Sequence, residues 1–440
     1  MNMNMLRIFI LLIIISISSC TSETNKENNK SELKPIKVEL KQEDGNYQLL
    51  RDGKPYFIEG AGTELERIPV LAQCGANSAR SWSTETNNYT ADVFLDSALK
   101  YNLTVTMGLD VKKERQGFDY NDSIAVKKQF EHLKSEVTKY KNHPALLVWG
   151  IGNELNLNYS NPKVWNAVND IAKMIHEIDP NHPTTTMLAG IKKYDVDEIT
   201  KRCPELDFLS IQMYGDLPNL QQRIKESGYQ GAYIVSEWGA TGHWEVARTS
   251  WDAPVEQTSK EKANSYTHRY ELAIESDTLH CLGSYVFYWG QKQERTPTWY
   301  GLFTEDGKPT ETIDAMHYIW KDEWPENRAP RLDSMILHSL NSFDNVKLER
   351  SHTYYAEVFT HNYENDSIIY KWEILYESTD LGVGGDHESK PKSLKGLITD
   401  FNKSKINIIA PNKKGAFRLF VYVTDDQGNV ATANIPFYVN

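Results

Sequence analysis

The 440-residue chain has the composition of a globular protein, with 40% hydrophobic and 25% charged residues, and its length suits one large domain and a smaller one. Its formal net charge of −12 at pH 7 leaves no basic surface for a phosphate backbone. We therefore expect no nucleic-acid partner.

Residues 1–19 have the features of a secretory signal, because Arg7 precedes an apolar run that is too short to span a bilayer. The run ends in Ile17-Ser18-Ser19-Cys20, which resembles a bacterial lipobox. The resemblance implies cleavage before Cys20 and acylation of its thiol. We expect a lipid-anchored protein of the bacterial cell envelope, in the outer membrane on its periplasmic or outer face, with residues 20–36 as a flexible tether. A plain signal peptide and an uncleaved anchor are the alternatives.

Residues 37–325 alternate short apolar runs with amphipathic segments of helical length, which predicts a parallel sheet with crossover helices. Eight strands close a (β/α)8 barrel, and eight are predicted here, at residues 56–60, 77–82, 103–109, 145–150, 184–188, 208–213, 233–236 and 284–289. Helices are predicted at residues 91–101, 126–141, 164–178, 217–226, 260–275 and 312–320. A doubly wound open sheet is the alternative, but the chain lacks the phosphate-binding G-x-G-x-x-G motif of such sheets.

Residues 326–440 change to short alternating strands joined by turn clusters, which predicts an immunoglobulin-like β-sandwich. Its glycines at positions 382, 384 and 385 are expected to form a turn. The remaining cysteines, Cys74, Cys203 and Cys281, lack metal-ligand spacing and are predicted to be core thiols, with a disulfide between two of them as the alternative.

Two predicted barrel strands run directly into a glutamate, and catalytic groups of such barrels stand at the carboxyl ends of strands. The fourth strand continues as W-G-I-G-N-E to Glu154, and the seventh ends in Glu237. Glycoside hydrolysis needs two carboxyl groups flanking the scissile bond, one protonated and one ionised. Because these strands face each other across the barrel mouth, we expect the pair at the separation of about 5–5.5 Å that implies retention. The alternative is that each glutamate only forms a cap or an ion pair at the rim.

The W-G-x-x-N-E and E-W-G motifs resemble the signature of the retaining β-glycosidase barrels that include glycoside hydrolase family 2, over roughly residues 50–322. The resemblance implies that Glu154 is the acid/base and Glu237 the nucleophile. It also implies that Asn153 binds the sugar 2-hydroxyl.

The same resemblance assigns three further residues. Arg80 would steady the nucleophile, Tyr214 would donate a hydrogen bond to it, and Trp289 would form the floor of the subsite at the cleavage point. A rim salt bridge for Arg80 and packing roles for the two aromatic residues are the alternatives. Trp82, Trp238 and Trp299 are further candidates to stack on sugar faces.

A barrel with one C-terminal immunoglobulin-like domain on a lipoprotein also resembles glycoside hydrolase family 158, which acts on β-1,3-glucan. That resemblance rests on the architecture and on the 83 residues that separate Glu154 from Glu237. The absence of N-terminal sandwich domains counts against the galactosidase, mannosidase and glucuronidase activities of family 2.

These patterns together predict a retaining hydrolase of β-glucan, with β-1,3-glucan as the first choice and a polysaccharide or oligosaccharide as its partner. No cofactor or metal is expected, because the mechanism needs only two carboxyl groups and water. The alternatives are a transglycosylase, a β-glycosidase acting on mannan or galactan, and a surface glycan-binding lipoprotein without catalysis. The sandwich is expected to be non-catalytic.

Overall fold

The computed structural model describes residues 33–364 and 367–440. Cys20 and the predicted signal segment lie outside the described residues, so their assignments stay predictions. Within the described ranges, no helix is long and apolar enough to cross a membrane.

An antiparallel three-stranded sheet precedes the barrel and was not predicted. Its strands are β1 (Val38–Glu43), β2 (Asn46–Arg51) and β3 (Lys54–Pro55). Val38 and Leu49 of this sheet are buried in one apolar cluster with Ile58 and Ile234, which lie near the beginnings of two barrel strands. The sheet therefore closes the amino-terminal end of the barrel, opposite the end where parallel strands carry catalytic groups.

Eight parallel strands form a closed barrel, which confirms the predicted fold class. They are β4 (Ile58–Thr63), β5 (Ser78–Arg80), β6 (Thr104–Leu109), β7 (Leu146–Asn153), β8 (Thr184–Ala189), β9 (Phe208–Gln212), β10 (Tyr233–Trp238) and β11 (Cys281–Trp289). Their helices are α1 (Ile68–Gln73), α2 (Ala91–Lys100), α3 (Ser123–Tyr140), α4 (Lys163–Ile178), α5 (Lys193–Arg202), α6 (Leu220–Ser227), α7 (Ser259–Arg269) and α8 (Glu311–Lys321).

The predicted elements differ from the observed ones mainly at their ends. Helices α1 and α5 were not predicted. The predicted helix at residues 217–226 divides into a 3-10 turn, Leu217–Asn219, and α6, because Pro218 occupies the start of the turn. The predicted helix at residues 260–275 divides into α7, which begins with a capping box between Thr258 and Glu261, and a π-helical segment, Tyr270–Glu275.

The three predicted core cysteines are buried and free, which excludes a disulfide between any two of them in this structure. Burial raises the pKa of each thiol to about 12. Such groups stay protonated at neutral pH and behave as small apolar side chains.

Two sheets, antiparallel except for the parallel pair of β13 (Lys347–Leu348) and β20 (Val430–Val439), form the C-terminal sandwich, which also confirms the prediction. One sheet has the order β12 (Arg331–Leu337), β14 (Thr353–His361), β18 (Lys405–Ile409) and β17 (Ile398–Thr399). The other has the order β13 (Lys347–Leu348), β20 (Val430–Val439), β19 (Gly415–Thr424), β15 (Ile369–Tyr376) and β16 (Ser393–Leu394).

A buried carboxylate joins the barrel to the sandwich. Glu256 is 4% exposed; its Oε1 accepts hydrogen bonds from Lys262 Nζ (2.6 Å) and Thr298 Oγ1 (2.8 Å). Its Oε2 accepts from Thr296 Oγ1 (2.6 Å) and from Nδ2 of Asn434 in the sandwich (2.6 Å). Burial acts to raise the pKa of Glu256, but Lys262, the Thr296 hydroxyl and the charge of Arg418 lower it, so the group is held as an anion.

Replacing Lys262 with methionine should destabilise the protein by about 3–5 kcal/mol, because Glu256 would remain buried without its counter-charge. The matched control is Lys260→Met on the same helix. Lys260 also pairs with a sandwich residue, Asp333 (2.6 Å), but the two side chains are 26% and 45% exposed. The free energy of unfolding of this control variant should fall by about 0–1 kcal/mol. Urea unfolding of both variants measures the difference, and equal losses would contradict the assigned role of Glu256.

Candidate active site

The carboxyl ends of the barrel strands surround a cavity of about 290 Å³. Its residues come from both the barrel and the sandwich, and many are aromatic or charged. They are Trp82, Lys113, Asn153, Glu154, Tyr214, Glu237, Trp244, Phe287, Tyr288, Lys292, Glu294, Tyr300, Gly384, Gly385 and Asp386. The structure therefore brings together five of the candidates from the sequence, Trp82, Asn153, Glu154, Tyr214 and Glu237.

Glu237 lies on β10 and is held by three hydrogen-bond donors. Its Oε1 accepts from Arg80 Nη1 (2.7 Å) and from Trp82 Nε1 (2.8 Å). Its Oε2 accepts from the Tyr214 hydroxyl (2.9 Å). Three donors, one of them cationic, stabilise the ionised form of a carboxyl group and fix its orientation.

Arg80 is fully buried at the end of β5 and connects the two catalytic candidates' strands. Besides Glu237, its Nη1 donates to the Ser236 carbonyl (2.7 Å), and its Nη2 donates to Asn153 Oδ1 (2.5 Å). Oδ1 of Asn153 also accepts from Gln212 Nε2 (2.7 Å). Since both donors take the amide oxygen, the Asn153 amide nitrogen is the group that remains to face the cavity.

Glu154 follows β7 in a different environment from Glu237. Its backbone has a positive φ of 53°, and its amide donates to the Met187 carbonyl (2.9 Å) on the neighbouring strand. No residue in the described ranges donates a hydrogen bond to its carboxyl group. Burial, followed by the nearby charge of Glu237, raises the pKa of Glu154 to about 7.

Tyr214 is kept protonated by its surroundings. Burial, then the charge of Glu237, raises its pKa well above the ordinary value. A neutral phenol can donate a hydrogen bond to Glu237 throughout the physiological pH range. Its ring also contacts Phe287, Trp244 and Tyr300 edge-on, which fixes the position of the hydroxyl.

The expectation of a subsite floor at Trp289 is corrected by the structure. Trp289 is fully buried and packs against Phe303 and Trp320, away from the cavity. The strand β11 pairs irregularly with β4 between Val286 and Trp289, and such a shift changes which side chains face inward. Phe287 lines the cavity instead.

The other tryptophans divide between the core and the cavity. Trp238 and Trp299 are at most 1% exposed and do not line the cavity, whereas Trp82 does. Sequence reasoning missed Trp244, which lies in the loop after β10, is 57% exposed and stands at the cavity rim. An exposed aromatic ring beside a polar cavity is suited to stack on a sugar face.

Sequence reasoning also missed the contribution of the sandwich to the cavity. Gly384, Gly385 and Asp386 belong to the loop between β15 and β16, residues 377–392, here called the sandwich loop, and they line the cavity beside Glu154. Nothing in their local sequence indicates a site, because the contact is made across domains.

The barrel sequence matches a known family. The sequence model of the glycosyl hydrolases family 2 TIM barrel domain matches residues 100–322, just over half of the chain. The chain belongs to this family. The matched family 2 region contains both Glu154 and Glu237, whereas Arg80 precedes it and the sandwich loop follows it.

Individual proteins have low sequence identity to this family 2 chain. The chain is 28% identical over 167 residues to a probable mannan endo-1,4-beta-mannosidase C of Aspergillus terreus, and the match covers 32% of this chain and 40% of that protein. A glycoside hydrolase family 5 mannosidase from Rhizomucor miehei is similar in structure, with a TM-score of 0.46, 16% identity, and coverage of 63% of this chain and 96% of that chain. A glycosyl hydrolase family 2 member from Bacteroides cellulosilyticus has a TM-score of 0.46, 15% identity, and coverage of 90% and 50%.

The pKa of Glu154 should fall in a Glu237→Gln variant, because the substitution removes the neighbouring negative charge and leaves the burial in place. In the wild-type protein the carboxyl group should be protonated below about pH 7 and ionised above it. Titration of carboxyl carbon-13 signals measures both values. The matched control is Glu294→Gln, which removes a cavity carboxylate already paired with Lys292 (3.0 Å) and should leave the Glu154 titration nearly unchanged. A Glu154 pKa that stays the same or rises in Glu237→Gln would show that the two carboxyl groups are not coupled.

Proposed function

We propose that the protein is a retaining glycoside hydrolase that cleaves β-linked glucan, with β-1,3-glucan as its first substrate. The observation that carries this proposal is the contrast between two carboxyl groups in one cavity. Glu237 accepts hydrogen bonds from three donors, whereas no residue that the structure describes donates to the carboxyl group of Glu154, whose pKa is raised to about 7. Retaining hydrolysis needs one ionised and one protonated carboxyl group.

In the proposed first step, Glu237 attacks the anomeric carbon while Glu154 gives its proton to the glycosidic oxygen. The bond between the anomeric carbon and that oxygen breaks, and the sugar beyond it leaves as an alcohol. In this proposal the amide nitrogen of Asn153 donates to the sugar 2-hydroxyl, a contact that strengthens in the transition state.

In the second step, Glu154 acts as a base and removes a proton from water, whose oxygen attacks the anomeric carbon. Glu237 leaves as a carboxylate, and the three donors that hold it stabilise the returning charge. The product keeps the β configuration because two inversions have occurred.

The choice of β-1,3-glucan rests on the resemblance in architecture and glutamate spacing to glycoside hydrolase family 158. A specific observation favours mannan as the second candidate, since the curated relative from Aspergillus terreus is a probable endo-1,4-beta-mannosidase. Product analysis of the purified protein on β-1,3-glucan, β-1,4-glucan, mannan, galactan and xylan distinguishes them. Faster release of oligosaccharides from mannan than from β-1,3-glucan would refute the first choice.

Alanine variants of the two glutamates should fail in different ways. Glu237→Ala should lose turnover on glucan, and azide should partly restore it with inversion, because the anion enters the space that the carboxylate leaves. Glu154→Ala should still form the glycosyl-enzyme from an aryl glycoside whose leaving group needs little acid help. It should then stall, and azide should rescue the second step with retention. Proton NMR of the glycosyl azides reads the configuration.

The opposite pattern of rescue would exchange the two assignments. An inverted product from the wild-type enzyme would refute the covalent mechanism. A protein that binds glucan without cleaving any glycoside would instead support the alternative of a surface glycan-binding lipoprotein, and accumulation of longer oligosaccharides would support a transglycosylase.

We also propose that Cys20 carries a lipid anchor in the cell envelope, a proposal supported only by the lipobox-like sequence. Fractionation of cells that express wild-type or Cys20→Ala protein tests it. The wild-type protein should partition with membranes and the variant should not, whereas equal partition would refute the anchor.

A further inference from the structure

The sandwich loop approaches the cavity closely at two glycines. Gly384 and Gly385 have positive φ values of 58° and 75°, a backbone conformation that other residues adopt at a cost. A Cβ atom on Gly384 would lie 3.1 Å from Glu154 Oε2 and 2.6 Å from Leu157 Cδ2. The backbone of the second domain thus borders the proposed catalytic acid.

Charged contacts fix the loop against the barrel. Asp386 pairs with Arg115 (2.7 Å), whose side chain is only 7% exposed. Glu388 has a fully buried side chain and pairs with Arg295 (2.9 Å). Lys292 donates to the Gly385 carbonyl (2.6 Å). All three contacts are charge-assisted hydrogen bonds, which are stronger than neutral ones. The pair of Glu388 and Arg295 is the most buried of them and should fix the loop more firmly than an exposed pair would.

The two catalytic candidates have neighbours from different domains. The donors to Glu237 are Arg80, Trp82 and Tyr214, all from the barrel. The sandwich loop lies instead beside Glu154 and contacts Arg115 and Lys292. An acid must reach the glycosidic oxygen, and the sugar beyond that oxygen is the leaving group. The loop therefore borders the leaving-group side of the cleavage point.

We propose that the sandwich loop forms the wall of the leaving-group subsite and binds the first sugar that is released. This inference rests on the proposed function and deepens it. It assigns to the C-terminal domain a role in substrate binding, while the bond-making groups stay on the barrel. The Asp386 carboxylate is 39% exposed. Its two oxygens accept from Arg115 and Gln116, and each has a further lone pair that can accept from a sugar hydroxyl.

The sandwich loop also borders the acceptor in the second step, because the acceptor enters from the side by which the leaving group departed. A sugar acceptor that binds there competes with water for the glycosyl-enzyme. The sandwich loop therefore also governs how well an added oligosaccharide accepts the glycosyl group.

The test compares two substrates that share a glycone but differ in leaving group, a β-1,3-linked gluco-oligosaccharide and a dinitrophenyl β-glucoside. The Asp386→Ala variant of the full chain should lower kcat/KM for the oligosaccharide by at least about tenfold, chiefly through KM. It should lower kcat/KM for the aryl glucoside by no more than about threefold, because a dinitrophenolate needs no sugar subsite. Each rate is measured at the variant's own pH optimum, since Arg115, Lys113, Asp386, Arg80 and Glu237 all surround Glu154.

The matched control is Lys390→Ala. Lys390 also ties the sandwich loop to the barrel, through Glu305 (2.5 Å), but it does not line the cavity. Both rates should change by less than about twofold. An Asp386→Asn variant, which keeps the size of the side chain and removes its charge, repeats the test if Asp386→Ala folds poorly.

A second readout uses the glycosyl-enzyme trapped with a 2-fluoro sugar. Added oligosaccharide should reactivate the wild-type protein in a saturable way and Asp386→Ala only at much higher concentration. Equal losses on both substrates, or no loss on either, would overturn the loop assignment while a wild-type protein that cleaves both substrates upholds the proposed function. A wild-type protein that cleaves neither would refute the proposed function, and the loop assignment with it.

Discussion

The buried ion pair between Arg80 and Glu237 is the interaction on which the arrangement of the cavity depends. Arg80 has no exposed surface, and burying a guanidinium is costly unless its donors are matched. Its terminal nitrogens donate to Glu237, to the Ser236 carbonyl and to Asn153, whereas its Nε has no partner among the described residues. One side chain from β5 therefore sets the positions of groups on β7 and β10, and the barrel closure that brings these strands together is what makes the pair possible.

The contrast between the two glutamates follows from that arrangement. No described residue donates a hydrogen bond to Glu154, which follows β7, and the charges of Lys113, Arg115 and Arg80 only partly offset the effect of burial on its pKa. Two identical side chains thus have different surroundings, and the charge of Glu237 contributes to the raised pKa of Glu154. The sandwich also contributes to the surroundings of Glu154, because it brings Gly384 beside that residue.

The sequence predicted the parts of the structure that depend on local pattern. Alternating apolar runs and amphipathic segments predicted the eight strands, and a glutamate after an apolar run marked Glu154 and Glu237. Trp289 was assigned wrongly because the irregular pairing of β11 after Val286 is not visible in the spacing of aromatic residues. Gly384 and Asp386 were missed because they are more than two hundred residues from Glu154 in sequence and meet it only after both domains pack.

The central claim is that Glu237 forms the covalent bond to the sugar, and trapping that bond tests it most directly. The wild-type protein is incubated with an activated 2-fluoro β-glucoside, which slows the second step more than the first, and the labelled peptide is identified by mass spectrometry. We expect one glycosyl group per chain, on Glu237. A label on Glu154, or an intact protein that turns over the β-glucan substrate yet accumulates no covalent sugar, would contradict the account.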